Sequence, residues 1–212
     1  MNDRPIARLV FLGLALCLPG CGGSGSGGGL RNKNPGANDV NVVAAFGDSL
    51  TQGSECSCAP YPSRLAGLIG KSAINVGVAG TMAVENVERA QAAIDRFHPG
   101  FMLILYGAND VIHGYGPTAI VDALERMAQI CTDNQVVPVL ATYPEPVLEH
   151  AGFAPRILQL NSRIRALADE RNLRCVDLEQ EFAANLELYQ ADGLHPNDAG
   201  TQIIAMAFAD LF

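Results

Sequence analysis

The chain has 212 residues, 49% of them hydrophobic and 17% charged, and 22 acidic residues against 14 basic ones give a formal charge of −8. A chain of this length buries roughly 70% of its unfolded surface, so it needs neither disulfides nor a metal to fold. Nucleic-acid binding rests on Lys and Arg, and the basic residues here are few and scattered with no basic stripe, which excludes a nucleic-acid partner.

Arg4 and Arg8 precede an apolar run over residues 9–18, the order of a positive n-region and a short h-region in a secretory signal. The run is too short to cross a bilayer as a helix, which takes roughly twenty residues. Leu18-Pro19-Gly20-Cys21 follows and resembles a bacterial lipobox, with an apolar residue at −3, a small one at −1 and a cysteine that is lipidated; Pro19 at −2 departs from the usual pattern. Residues 1–20 therefore read as a lipoprotein signal peptide and Cys21 as the lipidation site. The alternative is a plain signal cleaved nearby, with Cys21 an ordinary thiol. Residues 21–39 are a Gly/Ser-rich tether, a composition that cannot bury apolar surface. The expectation is an exported, bacterial membrane-anchored lipoprotein, facing the periplasm or the cell surface.

From residue 40 to 212 apolar β-rich runs alternate with helical patterns. Strands are predicted over 40–46, 72–76, 101–106, 136–142 and 173–178. Helices are predicted from residue 62 to 69 and over 84–97, 119–131, 155–171 and 198–211. The run Phe-Met-Leu-Ile-Leu-Tyr at 101–106 is apolar throughout, as in a central parallel strand covered on both faces. Five strands with helices between them predict a parallel, doubly wound sheet with right-handed crossovers. Ligands of such sheets bind beyond the carboxyl ends of the strands. There the sequence places Gly47-Asp48-Ser49-Leu50, Gly77-Val78-Ala79-Gly80 and Gly107-Ala108-Asn109-Asp110, and Asp192-Gly193-Leu194-His195 before the last helix.

These loops hold the parts of an acyl-transfer site. A serine hydroxyl is a weak nucleophile until a base takes its proton; His195 is the candidate base for Ser49. Pro196 biases the His195 backbone to an extended geometry. Asp192, three residues earlier, is placed to hold the imidazole Nδ1 and fix its tautomer. An oxyanion needs donors worth about 3 kcal/mol each. The candidates are the backbone N–H groups of Ser49 and Gly80 and the Asn109 side-chain amide.

The four blocks, in this order and each after the expected element, resemble the SGNH hydrolases, also called GDSL esterases/lipases, and most of all the small bacterial thioesterase, arylesterase and lysophospholipase members. The resemblance covers residues 40–212. It implies a flavodoxin-like three-layer α/β/α fold with a five-stranded parallel sheet of order 2-1-3-4-5. It implies a serine esterase cutting carboxylic ester or thioester bonds through an acyl-enzyme, with Ser49, Asp192 and His195 as triad and Ser49, Gly80 and Asn109 as oxyanion hole. No cofactor or metal is called for. The expected partner is a small-molecule or lipid ester substrate, and a monomer is expected. Two other readings use the same residues: an acyltransferase or deacetylase acting on a carbohydrate, and a non-catalytic flavodoxin-like binding lipoprotein.

Tyr106 stands where the family commonly has an aliphatic residue, and Cys56-Ser57-Cys58 is not a family feature. Asp48 is expected to order its loop, and Asp110 to be a structural or helix-capping carboxylate. His98 reads as a surface residue, and His113, directly after the third block, is no more than a candidate to border the pocket; neither they nor His150 has a partner at any motif spacing. Cys56, Cys58, Cys131 and Cys175 allow three complete pairings; a Cys56–Cys58 bridge with Cys131 and Cys175 buried and reduced is favoured. Specificity is expected from loops 111–118 and 144–154, with Leu50, Tyr115, Val147, Leu148 and Phe153 as candidate lining for an acyl pocket. An extended lipid groove is not evident.

Overall fold

The computed structural model describes residues 34–212. The expected signal peptide, Cys21 and most of the expected tether lie outside the described residues.

The five strands are β1 (Asp39–Gly47), β2 (Ser72–Asn75), β3 (Pro99–Leu105), β4 (Val137–Ala141) and β5 (Arg174–Val176). They form one sheet of order β2-β1-β3-β4-β5, parallel throughout. β3 is central and buried along its whole length, as its apolar run requires. The helices are α1 (Ser49–Gln52), α2 (Tyr61–Ile69), α3 (Arg89–Phe97), α4 (Ala108–Ile112), α5 (Pro117–Asp133), α6 (Ala154–Arg171), α7 (Leu178–Phe182) and α8 (Asp198–Ala209). One layer joins α2 to α8 and α8 to α7; the other joins α3 to α5 and α5 to α6. The result is the expected three-layer α/β/α fold.

Local chemistry sets most boundaries. Pro62, Pro117 and Pro155 lie in the first turns of α2, α5 and α6, where a missing N–H costs nothing. Asn197 caps α8 by accepting from the Gly200 N–H at 3.1 Å. The predicted helix over 84–97 is instead a 3₁₀ turn at Ala83–Glu85 followed by α3. Asp110 is the reason: its carboxylate accepts the Ala83 and Val84 N–H groups at 2.8 and 3.0 Å. Asn86, non-helical at φ −120°, breaks the run. The structure adds the short helices α1, α4 and α7 and the 3₁₀ turns Leu148–Phe153 and Leu186–Leu188. β5 is shorter than predicted.

The chain enters at the edge of the sheet where the strands begin. Asn34 lines a cavity of about 300 Å³ with Val136, Val137, Pro138 and Leu173, at the starts of β4 and β5. Asn38 Nδ2 donates to the Asn134 carbonyl at 2.8 Å. Ser49, Gly80, Asn109 and His195 belong to the opposite edge. Cys56 and Cys58 form a disulfide, Cys131 is free and buried, and Cys175 is free and half-buried.

Candidate active site

Ser49 is the first residue of α1, directly after β1. A first helical residue has no helical acceptor for its N–H, so that donor is left for a ligand. Asp48 caps the helix, its Oδ1 accepting from the Leu50 N–H at 3.1 Å. The side chain of Ser49 accepts from or donates to His195 Nε2 at 3.0 Å. On the other side of the ring, His195 Nδ1 lies 2.5 Å from Asp192 Oδ2. Asp192 Oδ1 accepts the backbone N–H groups of Leu194 and His195 at 2.9 and 3.0 Å. Burial raises the Asp192 pKa, but the hydrogen bonds from His195 and from these two amides prevail and hold it below the usual carboxylate range. An ionised Asp192 fixes the proton on Nδ1 and leaves Nε2 free to accept one.

The turn that brings Asp192 to His195 is locked by its neighbours. Gly193 has φ +71°, and a Cβ there would lie 2.1 Å from the Val147 carbonyl oxygen. Only glycine fits both the conformation and the space. The Val147 N–H donates to the Gly193 carbonyl at 2.8 Å. His150 donates from Nδ1 to the Asp192 carbonyl at 2.7 Å, because a carbonyl can only accept. Sequence spacing gave His150 no partner; its partner is a backbone atom 42 residues away, which no side-chain motif reports.

Gly80 is exposed, with φ +74° and open space around its would-be Cβ. Conformation, rather than crowding, demands glycine here. Its loop is pinned to α1: the Ala79 N–H donates to Gln52 Oε1 at 2.7 Å and the Val78 N–H to the Gly47 carbonyl at 3.0 Å. Asn109 lies in the first turn of α4, and its Nδ2 donates to the Thr81 carbonyl at 3.1 Å. The same nitrogen is 3.5 Å from Asp48 Oδ2. The structure thus gathers Ser49, Asp192 and His195 in one hydrogen-bonded line, and sets the Gly80 loop and Asn109 beside Ser49.

Asp48 and Asp110 order loops, as expected. Asp48 is fully buried, and Tyr143 Oη donates to it at 3.3 Å. Desolvation by burial, opposed by these hydrogen bonds, pushes the Asp48 pKa up to about 7. Below that pH the carboxyl is neutral and puts no negative charge behind Asn109. Beneath it, Asn161, also fully buried, accepts from the Tyr143 N–H at 2.8 Å and donates to the Tyr143 carbonyl at 2.8 Å.

A cavity of about 350 Å³ adjoins this edge, lined by Met82, Glu85, His113, Gly114 and Tyr115. His113 borders it and donates from Nδ1 to the Asn109 carbonyl at 2.8 Å. Tyr115 Oη donates to Glu85 Oε1 at 3.2 Å. Of the residues considered for an acyl pocket, Tyr115 lines this cavity, Leu148 is exposed, Phe153 is half-buried and Val147 is buried. Leu50 is only 1% exposed and belongs to the hydrophobic core, so it cannot serve as lining; the α1 turn points it inward. His98 is exposed at a helix C-terminus. Among the described residues no group of three His, Cys, Asp or Glu is placed to hold a metal.

A polar, glycine-rich edge on a five-stranded, all-parallel sheet flanked by helices is the frame of a doubly wound α/β protein whose site lies beyond the strand ends. The GDSL-like Lipase/Acylhydrolase family model matches residues 45–203, and the chain belongs to that family. It is an enzyme of the GDSL-type esterase/lipase class. It is 25% identical over 171 residues to thioesterase 1/protease 1/lysophospholipase L1 of Escherichia coli K12, covering 78% of this chain and 80% of that protein. Its fold is similar to a G-D-S-L lipolytic protein from Veillonella parvula DSM 2008, with TM-score 0.69, 19% identity and coverage of 81% and 97% of the two chains. It is also similar to an acetylxylan esterase from Geobacillus stearothermophilus, with TM-score 0.68, 21% identity and coverage of 80% and 93%.

Proposed function

We propose that the chain hydrolyses carboxylic ester or thioester bonds through an acyl-enzyme built on Ser49. The observation that carries this reading is the unbroken line from Ser49 Oγ to His195 Nε2 at 3.0 Å and from His195 Nδ1 to Asp192 Oδ2 at 2.5 Å. Ser49 Oγ attacks the carbonyl carbon while its proton passes to His195 Nε2. The oxyanion takes hydrogen bonds from the N–H groups of Ser49 and Gly80 and from Asn109 Nδ2. The carbonyl re-forms as the bond to the leaving oxygen or sulfur breaks, and His195 returns the proton to that atom. Water then repeats the sequence, freeing the acid and Ser49. Asp192 stays ionised and holds the imidazolium in place.

Ser49→Ala is expected to lower kcat for p-nitrophenyl acetate by at least about 10³-fold; hydrolysis at the wild-type rate would refute the assignment. Product analysis with an added sugar or alcohol acceptor separates hydrolysis from acyl transfer, and exclusive transfer would replace the hydrolase reading. We further propose, from the sequence alone, that Cys21 carries a lipid and anchors the exported protein to a membrane. Metabolic labelling with a fatty acid tests it: Cys21→Ser should abolish incorporation.

A further inference from the structure

We propose that Arg89 and Tyr106 are positioning residues that set both candidate oxyanion donors beyond Ser49's own amide, acting through Thr81. The inference rests on the reading of Gly80 and Asn109 given above. Its basis is a chain of hydrogen bonds with only one possible polarity. A guanidinium can only donate. Arg89 Nη1 donates to Tyr106 Oη at 2.7 Å, and Arg89 Nη2 donates to the Val76 carbonyl at 2.9 Å. Tyr106 Oη, already accepting from Arg89, turns its proton to Thr81 Oγ1 at 3.3 Å. Thr81 Oγ1 in turn donates to the Val78 carbonyl at 2.7 Å. Each hydroxyl accepts at one side and donates at the other, so each bond orients the next.

The consequence is geometric. Arg89 holds the loop at its start, Val76, and through Tyr106 at its end, Thr81. The Thr81–Val78 bond closes a tight turn around Gly80 and thereby aims the Gly80 N–H. The carbonyl of the same Thr81 is the acceptor for Asn109 Nδ2 at 3.1 Å, so Thr81 also orients the side-chain donor. Two donors from different strands' loops are referenced to one residue, and that residue is referenced to Tyr106. Arg89 is itself held in place: its guanidinium lies over the Phe46 ring at 5.3 Å, and Phe46 meets Tyr106 edge-on at 5.3 Å. The loop residues Val78, Ala79 and Gly80 are exposed, so burial does not fix them; beside the backbone bonds from the Val78 N–H to Gly47 and from the Thr81 N–H to Val78, side-chain bonds do. Tyr106 is thus the residue that lets a surface loop be set from the core.

Tyr106→Phe removes one oxygen and keeps the ring. It is expected to lower kcat for p-nitrophenyl acetate about 10-fold, with KM within about twofold, because misplaced donors cost transition-state rather than ground-state binding. Affinity for phenylboronic acid should fall by the same factor as kcat/KM. Its boron takes Ser49 Oγ as fourth ligand while the proton moves to His195, giving a tetrahedral anion in place of the oxyanion. Arg89→Met should match Tyr106→Phe, and the double variant should lose little more than either alone. A purely structural role would lower melting temperature but leave kcat and boronate affinity of the folded enzyme unchanged. Should Tyr106→Phe fail to fold, Thr81→Val removes the same relay one step later and carries the same expectation. Boronate affinity and kcat within twofold of wild type in a folded Tyr106→Phe or Thr81→Val protein would overturn the proposal. If Ser49→Ala were as active as wild type, the reading of the site would fail instead, which keeps the two failures distinct.

Discussion

The loop that carries Ser49 is sunk in the protein, with Asp48 and Thr51 fully buried, whereas the adjoining loop that carries Gly80 lies on the surface. The first is held by desolvated contacts: Asp48 bonded to Leu50 and Tyr143, Tyr143 bonded to Asn161, and Tyr61 Oη 3.4 Å from Thr51 Oγ1. The second is held by side-chain bonds reaching outward from Gln52, Tyr106 and Arg89. Burial makes a position costly to disturb and ties it to global stability. Bonds to an exposed loop fix its geometry while the loop itself buries little, even where the bonding side chain, as at Tyr106, is buried. Changes on the nucleophile side should therefore appear in stability, and changes on the Gly80 side in catalysis.

The comparison is tested most severely by Asn109→Ala, which deletes a donor without touching the core. It should lower kcat about 10²- to 10³-fold while leaving the urea midpoint almost unmoved; steady-state kinetics and an unfolding curve on one preparation decide it. Asp48 gives the next largest effect, on stability. Its carboxyl is pushed up to about 7 in the native state from an ordinary 3.8, so between those values the folded protein holds a proton that the unfolded chain does not. The contribution is complete below about pH 4 and is lost as pH rises through about 7, on the order of 4 kcal/mol in all. Asp48→Asn cannot ionise and should show a much smaller difference between urea unfolding at pH 5 and at pH 8.

Tyr143→Phe is the counterpart of Tyr106→Phe on the nucleophile side; both tyrosines are buried, and they differ in the loop that each hydroxyl holds. It should cost about 1–2 kcal/mol of stability, the loss of one bond to a buried acceptor, with kcat changed less than in Tyr106→Phe. The reverse ranking of the two tyrosines would break the comparison. The smallest effect is expected from replacing both Cys56 and Cys58 by serine. Their bridge closes a three-residue loop, which limits its stabilisation to about 1–2 kcal/mol, and melting temperature should move more than kcat.

The sheet was legible because its strands are largely apolar runs, the first three ended by Gly47, Gly77 and Gly107, and the site because Ser49, Gly80 and Asn109 follow those three runs and Asp192 and His195 precede the last helix. Gly193 and Gly80 were visible as glycines, but not the reason for each. One is crowded by Val147 and the other has open space around it. Helices α1, α4 and α7 have four or five residues, too few to show a period. The break at Ala83–Glu85 depends on Asp110, 27 residues beyond Ala83, and the His150 clamp on a backbone carbonyl. The placement of Tyr106 was seen as an oddity, whereas its link to Arg89 needed the fold to bring β3 and α3 together. Long-range bonds to main-chain atoms leave no trace in local pattern, and here they position the loops.

The place where the chain enters the domain has a consequence for orientation. Asn34 sits at the strand-starting edge, and β1 then runs nine residues to Gly47, about 30 Å at 3.3 Å each. Were Cys21 lipidated, as proposed above, thirteen residues, counting Cys21 itself, would separate the domain from the lipid, and fully extended they reach at most about 45 Å. A domain of this size is about 40 Å across, so turning its mouth down to its own bilayer would need a path of roughly 60 Å around its side. An enzyme anchored in that proposed way would therefore face away from the membrane that holds it. It should cleave an ester offered in solution, or on a structure standing opposite, in preference to a lysophospholipid in the vesicle to which it is tethered.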